Sequence, residues 1–254
     1  MFLLQKTVKM KLKQFFFLWF ALFLTFSLSA QEEENNYDGG IGSGGTVWGF
    51  KGGPSLATQM WNGFQRAPLF SYHGDVFIEV LGPWKDKKGT GSFKRSSFGA
   101  QLGYHRKGSS LRSVFYYTDG KQVKLPSNVF HNISLTAFGK GAFKTSQNSN
   151  FFYGMGLRLD YTLTYSLIGY GLEGVNRPNY GIWLGAGHEW RLKDALGLFV
   201  ELSISPDISK QIFVPPGYPT GLYYSNGNPI MSQGQKVNNL LMEISIGIKF
   251  GKEY

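Results

Sequence analysis

The chain contains no cysteine among its 254 residues. This absence excludes disulfide bonds, thiolate metal sites, a catalytic thiol and the lipid-modified cysteine of a lipoprotein. Charged residues make up only 17% of the chain, and no apolar run after residue 30 is long enough to form a membrane-spanning helix. Any crossing of a membrane by the rest of the chain therefore has to be made by β-strands in a closed barrel.

The first thirty residues have the pattern of a secretory signal peptide. Four lysines precede an apolar run that begins at Phe15 and fades through serines into Ala30. The run is shorter than the roughly 20 residues of a spanning helix, so we expect cleavage before Gln31 rather than a membrane anchor. Residues 31–45 are acidic and then rich in glycine, which predicts a flexible periplasmic leader.

The net charge gives no functional clue. Removing the four signal-peptide lysines lowers the formal charge from +10 to +6, and the remaining charges are dispersed along the chain. A basic patch for nucleic acid is therefore not expected.

Beyond the leader, apolar and polar residues alternate in runs of roughly ten residues, the length of a tilted transmembrane β-strand. In the last run every even position from Leu240 to Phe250 is apolar, while the odd positions include Glu243 and Lys249. Eight such strands are predicted, at residues 46–54, 72–81, 97–107, 130–142, 150–165, 179–191, 196–205 and 237–250. The fold class is therefore all-β: an eight-stranded antiparallel up-and-down transmembrane β-barrel over residues 46–254, preceded by the cleaved signal peptide.

An even number of strands leaves both termini in the periplasm of a bacterial outer membrane. The connections 55–71, 108–129, 166–178 and 206–236 then lie outside the cell. The connections 143–149 and 192–195 are short periplasmic turns, and 82–96 is a long, basic one.

Strand parity assigns eleven charged side chains, five positive and six negative, to the interior of the barrel: Lys51, Asp75, Glu79, Lys140, Arg158, Asp160, Glu189, Arg191, Glu201, Glu243 and Lys249. An eight-stranded barrel is only wide enough for its own side chains, so these charges predict a plugged lumen rather than a pore. We expect Lys51 to face Glu243 across the closing seam, with Glu201 beside them and Arg158 across the lumen. We interpret these charges as a salt-bridge network that selects one closed register of the barrel. The alternative is a set of individually solvated charges.

The predicted outer connection 206–236 contains a stretch rich in proline, glycine and tyrosine. Tyrosine can bury contact area at low entropic cost, so one interpretation is a docking surface for a protein or a glycan. The other is closure over the barrel mouth. The candidate docking residues are Pro215, Pro216, Tyr218, Tyr223 and Tyr224.

Three local patterns suggest chemistry, and none of them is convincing. Residues 169–174 match the dinucleotide pattern G-x-G-x-x-G, but a proline and no helical pattern follow, which indicates a surface loop. His73, His105 and His131 lie near one rim, but His131 has the opposite parity, so we expect no metal. Ser71 lies beside His73, but no triad is apparent in the sequence. We therefore predict no enzymatic activity and no cofactor.

Four short segments resemble the PorT-like outer-membrane β-barrel family of Bacteroidetes. They are Gly49-Phe50-Lys51-Gly52-Gly53, Gln101 to Ser109, Gly185 to Trp190 and Ile246 to Phe250, and the resemblance spans about residues 45 to 254. It implies an eight-stranded barrel with long outer loops and, through the family's namesake, a link to the type IX secretion machinery.

Three hypotheses of function follow. The favoured one is a non-enzymatic barrel that contacts outer-membrane lipid and acts as a structural or partner-docking protein, including as an accessory to periplasmic secretion machinery. The second is a narrow channel or a binder of small solutes. The third is an enzyme that modifies membrane lipid.

Overall fold

The computed structural model describes residues 44–61, 66–86, 93–110, 114–116, 122–124, 127–167, 174–193, 195–223, 227–231 and 234–251. The predicted signal peptide and the leader up to residue 43 lie outside the described residues.

The described residues form β-strands, as the alternating pattern predicts. In chain order they are β1 (Thr46–Met60), β2 (Ala67–Leu81), β3 (Lys85–Asp86), β4 (Phe93–Ser110), β5 (Val114–Tyr116), β6 (Gln122–Lys124), β7 (Asn128–Ser146), β8 (Ser149–Ser166), β9 (Pro178–Lys193), β10 (Leu196–Pro206), β11 (Ile212–Val214), β12 (Pro219–Tyr223), β13 (Pro229–Met231) and β14 (Gln235–Phe250).

Eight long strands close into an antiparallel barrel in the order β1-β2-β4-β7-β8-β9-β10-β14, and β14 pairs again with β1. The closing seam runs from Trp48 opposite Phe250 to Met60 opposite Asn238. Each barrel strand therefore pairs with the strands on either side of it in the chain, which confirms the predicted up-and-down topology. The short strands lie in the connections: β3 extends the pairing with β4, β5 pairs with β6, β12 with β13, and β11 with β14.

The first connection is much shorter than predicted. The sequence Gly-Gly-Pro ending at Pro54 interrupts the alternation, so the first strand was expected to end there, yet β1 continues to Met60 and β2 begins at Ala67. Because proline only removes one donor from the ladder, the pairing with β2 keeps the same register through Pro54 opposite Tyr72. The predicted loop 55–71 is thus mostly strand.

The two ends of the barrel differ. The short-turn end carries Thr46, Phe250, the turn at residues 147–148 and the connection that follows Lys193. The long-loop end carries the connections in which β5, β6 and β11 to β13 lie. Within the predicted basic connection 82–96 at the short-turn end, Lys85 and Asp86 pair with β4, which itself begins at Phe93.

The barrel is polar inside and apolar outside. Inward positions hold mostly charged and polar side chains, whereas outward positions hold large apolar ones, among them Met155 and Ile246, which are 68% and 62% exposed. The predicted facing of β8 and β10 is confirmed: Arg158 and Glu201 are buried, and Leu157 and Leu202 are exposed. Among the described residues, no helix has the length and hydrophobicity to span a bilayer.

Candidate functional site

The barrel interior is the candidate site, because it holds nearly all of the charges assigned to the lumen. Along β2 the inward side chains succeed one another as Glu79, Phe77, Asp75 and His73, from the short-turn end toward the long-loop end.

Glu79 and Lys140 meet near the short-turn end. The Ser97 hydroxyl donates a hydrogen bond of 2.5 Å to Glu79, and the Lys140 ammonium lies 3.5 Å from the other carboxylate oxygen. The same ammonium lies 4.6 Å from the ring centre of Phe138 and 4.9 Å from that of Phe152. Cation–π contacts of this kind supplement the ion pair in a buried site.

Glu189 forms the second acidic position at this end. It pairs with Lys249 and lies 3.9 Å from the guanidinium of Arg95. Arg191 keeps the inward parity of Glu189 but is exposed at the short-turn end, so its assignment to the packed charges of the lumen was wrong. Arg191 lies opposite Gly197, which has no side chain to cover it, and the β9–β10 register shifts beside this pair.

The cavity among these groups is small. It measures about 10 Å³ and is lined by Phe77, Glu79, Arg95, Ser97, Lys140, Ala142, Phe152, Glu189, Phe199 and Lys249. That volume accommodates about one water molecule.

Lys51 pairs with Glu201 in the middle of the barrel, and both side chains are almost completely buried. Glu201 is also 3.9 Å from the Lys140 ammonium. The predicted contact between Lys51 and Glu243 was wrong, because the seam register places Lys51 opposite Gly247 and Glu243 opposite Ser55. Strand parity put both side chains in the lumen, but parity does not define how far one strand is displaced along the next.

Two histidines surround Glu243. His105 Nδ1 lies 2.6 Å from Glu243 Oε1, and its Nε2 lies 2.5 Å from the Ser134 hydroxyl. His73 Nε2 is hydrogen-bonded to Ser245 at 2.8 Å, and its ring stacks on that of His105 at 6.1 Å. Glu243 is thus bonded within the lumen to a histidine rather than to Lys51.

Asp75 is an exception to this pattern of pairing. It lies 3.7 Å from His105 Nε2, but neither of its carboxylate oxygens has a hydrogen-bond partner among the described residues. The glycine opposite, Gly103, leaves the space for it: a Cβ there would lie 1.7 Å from Asp75 Oδ1. Asp75 is therefore held near cations without direct hydrogen bonds.

The histidines do not gather as a metal site. His131 lies on the outer wall, as its parity predicts, and contacts the Tyr104 hydroxyl at 2.5 Å. Within the described ranges, no group of three or more histidine, aspartate or glutamate side chains is arranged to hold a metal ion.

A four-charge cluster lies closer to the long-loop end. Arg158 and Lys107 each contact both Asp160 and Asp207, with separations of 3.1 Å for Arg158 to Asp160 and 2.9 Å for Lys107 to Asp207. Sequence analysis found Arg158 and Asp160 but missed the other two. Asp207 keeps the inward parity of Ser203 and Ser205, so extending the predicted strand by two residues would have revealed it.

An apolar cap lies beyond this cluster and closes the long-loop end. We use this name for Trp61, Phe130, Ile212, Val214 and Val237, which are all buried and in mutual contact. Two of them belong to β11, which folds back to pair with β14.

The candidate docking residues do not form one surface. Pro215 and Pro216 are exposed, whereas Tyr218 packs against the apolar cap. Tyr223 is described only by its backbone in β12, and Tyr224 lies outside the described residues, as do residues 169–173 of the glycine pattern. For Tyr218 the packing agrees with closure over the barrel mouth.

No protein family profile matches the chain, and no curated protein matches it in sequence. Among solved structures, the chain is similar to Neisserial surface protein A, with a TM-score of 0.43 and 11% identity over 81% of this chain and 96% of that one. It is also similar to Ail, the attachment invasion locus protein of Yersinia pestis (TM-score 0.30, 9% identity, 82% and 99% covered). A third is the outer membrane protease OmpT of Escherichia coli (TM-score 0.32, 9% identity, 86% and 99% covered). At such low identity the similarity concerns the fold alone.

Proposed function

We propose that this protein is a non-enzymatic outer-membrane barrel with a closed interior, acting as a structural or partner-docking protein. A location in a membrane is supported by the outward apolar residues on the barrel strands. Exposed aromatic side chains lie toward both ends of this apolar band, with Trp48 and Trp190 near the short-turn end and Tyr72 and Tyr161 nearer the long loops. Such aromatic girdles are typical of barrel residues at the two interfaces of a bilayer.

The filled interior is the observation that carries the proposal against a channel. Ion pairs cross the interior, as Lys107 of β4 does with Asp207, which directly follows β10 on the opposite side of the barrel. The four-charge cluster and the apolar cap then succeed one another toward the long-loop end. An ion would have to break several buried pairs in turn to pass.

Planar-bilayer recording tests this proposal. We expect the purified, folded barrel to give no steady conductance, whereas a general porin reconstituted in the same bilayer provides the positive control. Well-resolved, reproducible openings would refute the closed interior and favour the hypothesis of a narrow channel.

An accessory role in type IX secretion is the narrower form of the docking hypothesis, and its support is the resemblance of the four short segments. The test is deletion in the native host, followed by comparison of secreted, surface and periplasmic proteins. Cargo retained in the periplasm and released again on complementation would support the role. Unchanged cargo would exclude it and leave the general docking function.

One observation favours a second candidate, a hydrolase. Ser134, His105 and Glu243 are connected in the order of a catalytic triad. However, the Ser134 side chain is fully buried, so a substrate could not reach its hydroxyl without opening the barrel. Labelling with a fluorophosphonate probe distinguishes the two: we expect no labelling of folded protein, and labelling that is lost in Ser134→Ala would favour the hydrolase.

A further inference from the structure

Arg106 is a cation on the outer wall of the barrel. Its neighbours in β4, His105 and Lys107, are buried in the lumen, so alternation directs Arg106 outward. The outward residues that precede it on β4 are Tyr104 and Leu102, and Leu102 is 52% exposed. An arginine on this wall faces the surroundings of the barrel rather than the charges of its interior.

Three polar aromatic side chains surround Arg106. The guanidinium lies 5.7 Å from the ring centre of Tyr72, and that ring lies 6.3 Å from Tyr104. His131 is directly opposite Arg106 in the β4–β7 pairing and contacts the Tyr104 hydroxyl. Strands β2, β4 and β7 thus each contribute to one outward cluster.

Arg106 has no carboxylate partner among the described residues, unlike Arg158 and Lys107 in the interior. Its Nε atom is buried and has no hydrogen-bond partner among the described residues. Lys107, the next residue, contacts two carboxylates in the lumen. The terminal nitrogens of this guanidinium, beside tyrosine and histidine, therefore remain able to donate two parallel hydrogen bonds to an anion.

The position of the cluster along the barrel axis indicates which kind of molecule carries that anion. One step closer to the short-turn end, the outward residues are Leu102 and Ile133, which are exposed and apolar. Toward the long-loop end, β4 ends four residues further on at Ser110. The cluster thus lies near the long-loop border of the apolar band, which on β2 extends one outward position further, to Phe70. Lipid headgroups meet a membrane barrel at this border.

We propose that Arg106, Tyr72, Tyr104 and His131 form a binding site on the outer wall for the phosphate group of a membrane lipid. This inference rests on the proposed membrane location. The guanidinium binds the phosphate oxygens, and Leu102 and Ile133 contact the acyl chains. A soluble phosphate would gain nothing from these apolar neighbours, so the lipid is the favoured source.

The experiment uses the mature chain folded in a neutral glucoside detergent, with binding measured by native mass spectrometry and by the shift in melting temperature. The probes are diphosphoryl lipid A, the same lipid with its phosphates removed, and inorganic phosphate. We expect the parent to bind the phosphorylated lipid about tenfold or more tightly than the other two probes, the discrimination expected of a charge-assisted pair.

Arg106→Ala and Arg106→Gln should each lose this preference, while Arg106→Lys should retain part of it because the charge stays and the fork is lost. Arg177→Ala is the matched control, since Arg177 is exposed on a connection at the long-loop end. Heat-modifiable mobility on a gel establishes that each variant is folded before binding is measured.

Equal lipid binding by the parent and by a folded Arg106 variant would overturn the inference. So would equal stabilisation of the parent by inorganic phosphate, because the lipid would then not be the ligand. Failure of the parent to insert into vesicles is a separate result that overturns the proposed membrane function.

Discussion

Lys51 and Glu201 illustrate how this protein handles charge at the scale of single residues. Their side chains are 4% and 0% exposed, so neither group is solvated by water. Taking two ions out of water is costly, and the pair is tolerated because each neutralises the other. Removing one partner alone leaves a buried, uncompensated charge.

We predict that Lys51→Met or Glu201→Leu alone lowers the free energy of unfolding by about 3–5 kcal/mol, whereas the double variant recovers most of the loss. Urea titration of the folded barrel in detergent micelles measures this. Lys236→Met removes an exposed lysine and should change stability by less than about 0.5 kcal/mol.

A second double-mutant cycle, on Lys51 and Glu243, tests the structure against the pairing that strand parity predicts. Lys51 and Glu243 share the lumen but are displaced along the seam, so their coupling should be clearly smaller than that of Lys51 with Glu201. A larger coupling for the Lys51–Glu243 cycle would contradict the seam register.

At the scale of elements, β11 is three residues long and depends on its packing. Ile212 and Val214 are 1% and 5% exposed, and Phe213 between them is 43% exposed. The strand pairs with β14 and covers the interior of the barrel at the long-loop end. Its stability therefore comes from two side chains of the apolar cap.

We predict that Ile212→Asn and Val214→Asn each destabilise the protein by about 2–3 kcal/mol, because an apolar contact is lost and an amide is buried. Phe213→Asn, on the exposed face of the same strand, should cost less than about 1 kcal/mol. Urea-induced unfolding in detergent micelles measures the change in free energy of unfolding for each variant. Equal changes at all three positions would contradict the packing of β11.

At the scale of the whole molecule, the polarity of the inner and outer surfaces of the barrel determines the surroundings in which the protein is stable. In a soluble protein, apolar side chains leave water by packing inside, but here Ile246 and Met155 remain outside while Arg158 and Glu201 lie inside. Such a barrel is stable only where its outer wall meets an apolar solvent.

We predict that Ile246→Arg lowers folding stability in lipid vesicles by about 2–4 kcal/mol, the cost of a charge deep on the lipid-facing wall. Ile208→Arg is the matched control, because Ile208 is 52% exposed and lies beyond the end of β10; it should be nearly neutral. The measurement is the fraction with folded gel mobility over a urea series. An Ile246→Arg variant that folds in vesicles as well as the control would argue against a lipid-facing wall.

Much of this architecture followed from the sequence. A period of two along eight runs determined the strands, their facing and the closed barrel, since only one face of each strand is apolar. The same period predicted eleven lumen charges, of which ten lie in the interior and Arg191 is exposed, while Lys107 and Asp207 were missed. The ends of the strands were predicted less accurately. Strand β1 continues past Pro54, because a proline removes one hydrogen bond without ending a ladder.

Only the tertiary structure decided which charges meet. The sequence determined that Lys51 and Glu243 share the lumen, but contacts across a barrel depend on how far each strand is displaced along its neighbours, and alternation is the same for every even displacement. The stagger of β14 against β1 therefore paired Lys51 with Glu201 and left Glu243 to His105. The return of β11 over the barrel mouth likewise had no periodic signal, because a three-residue strand is too short to show one.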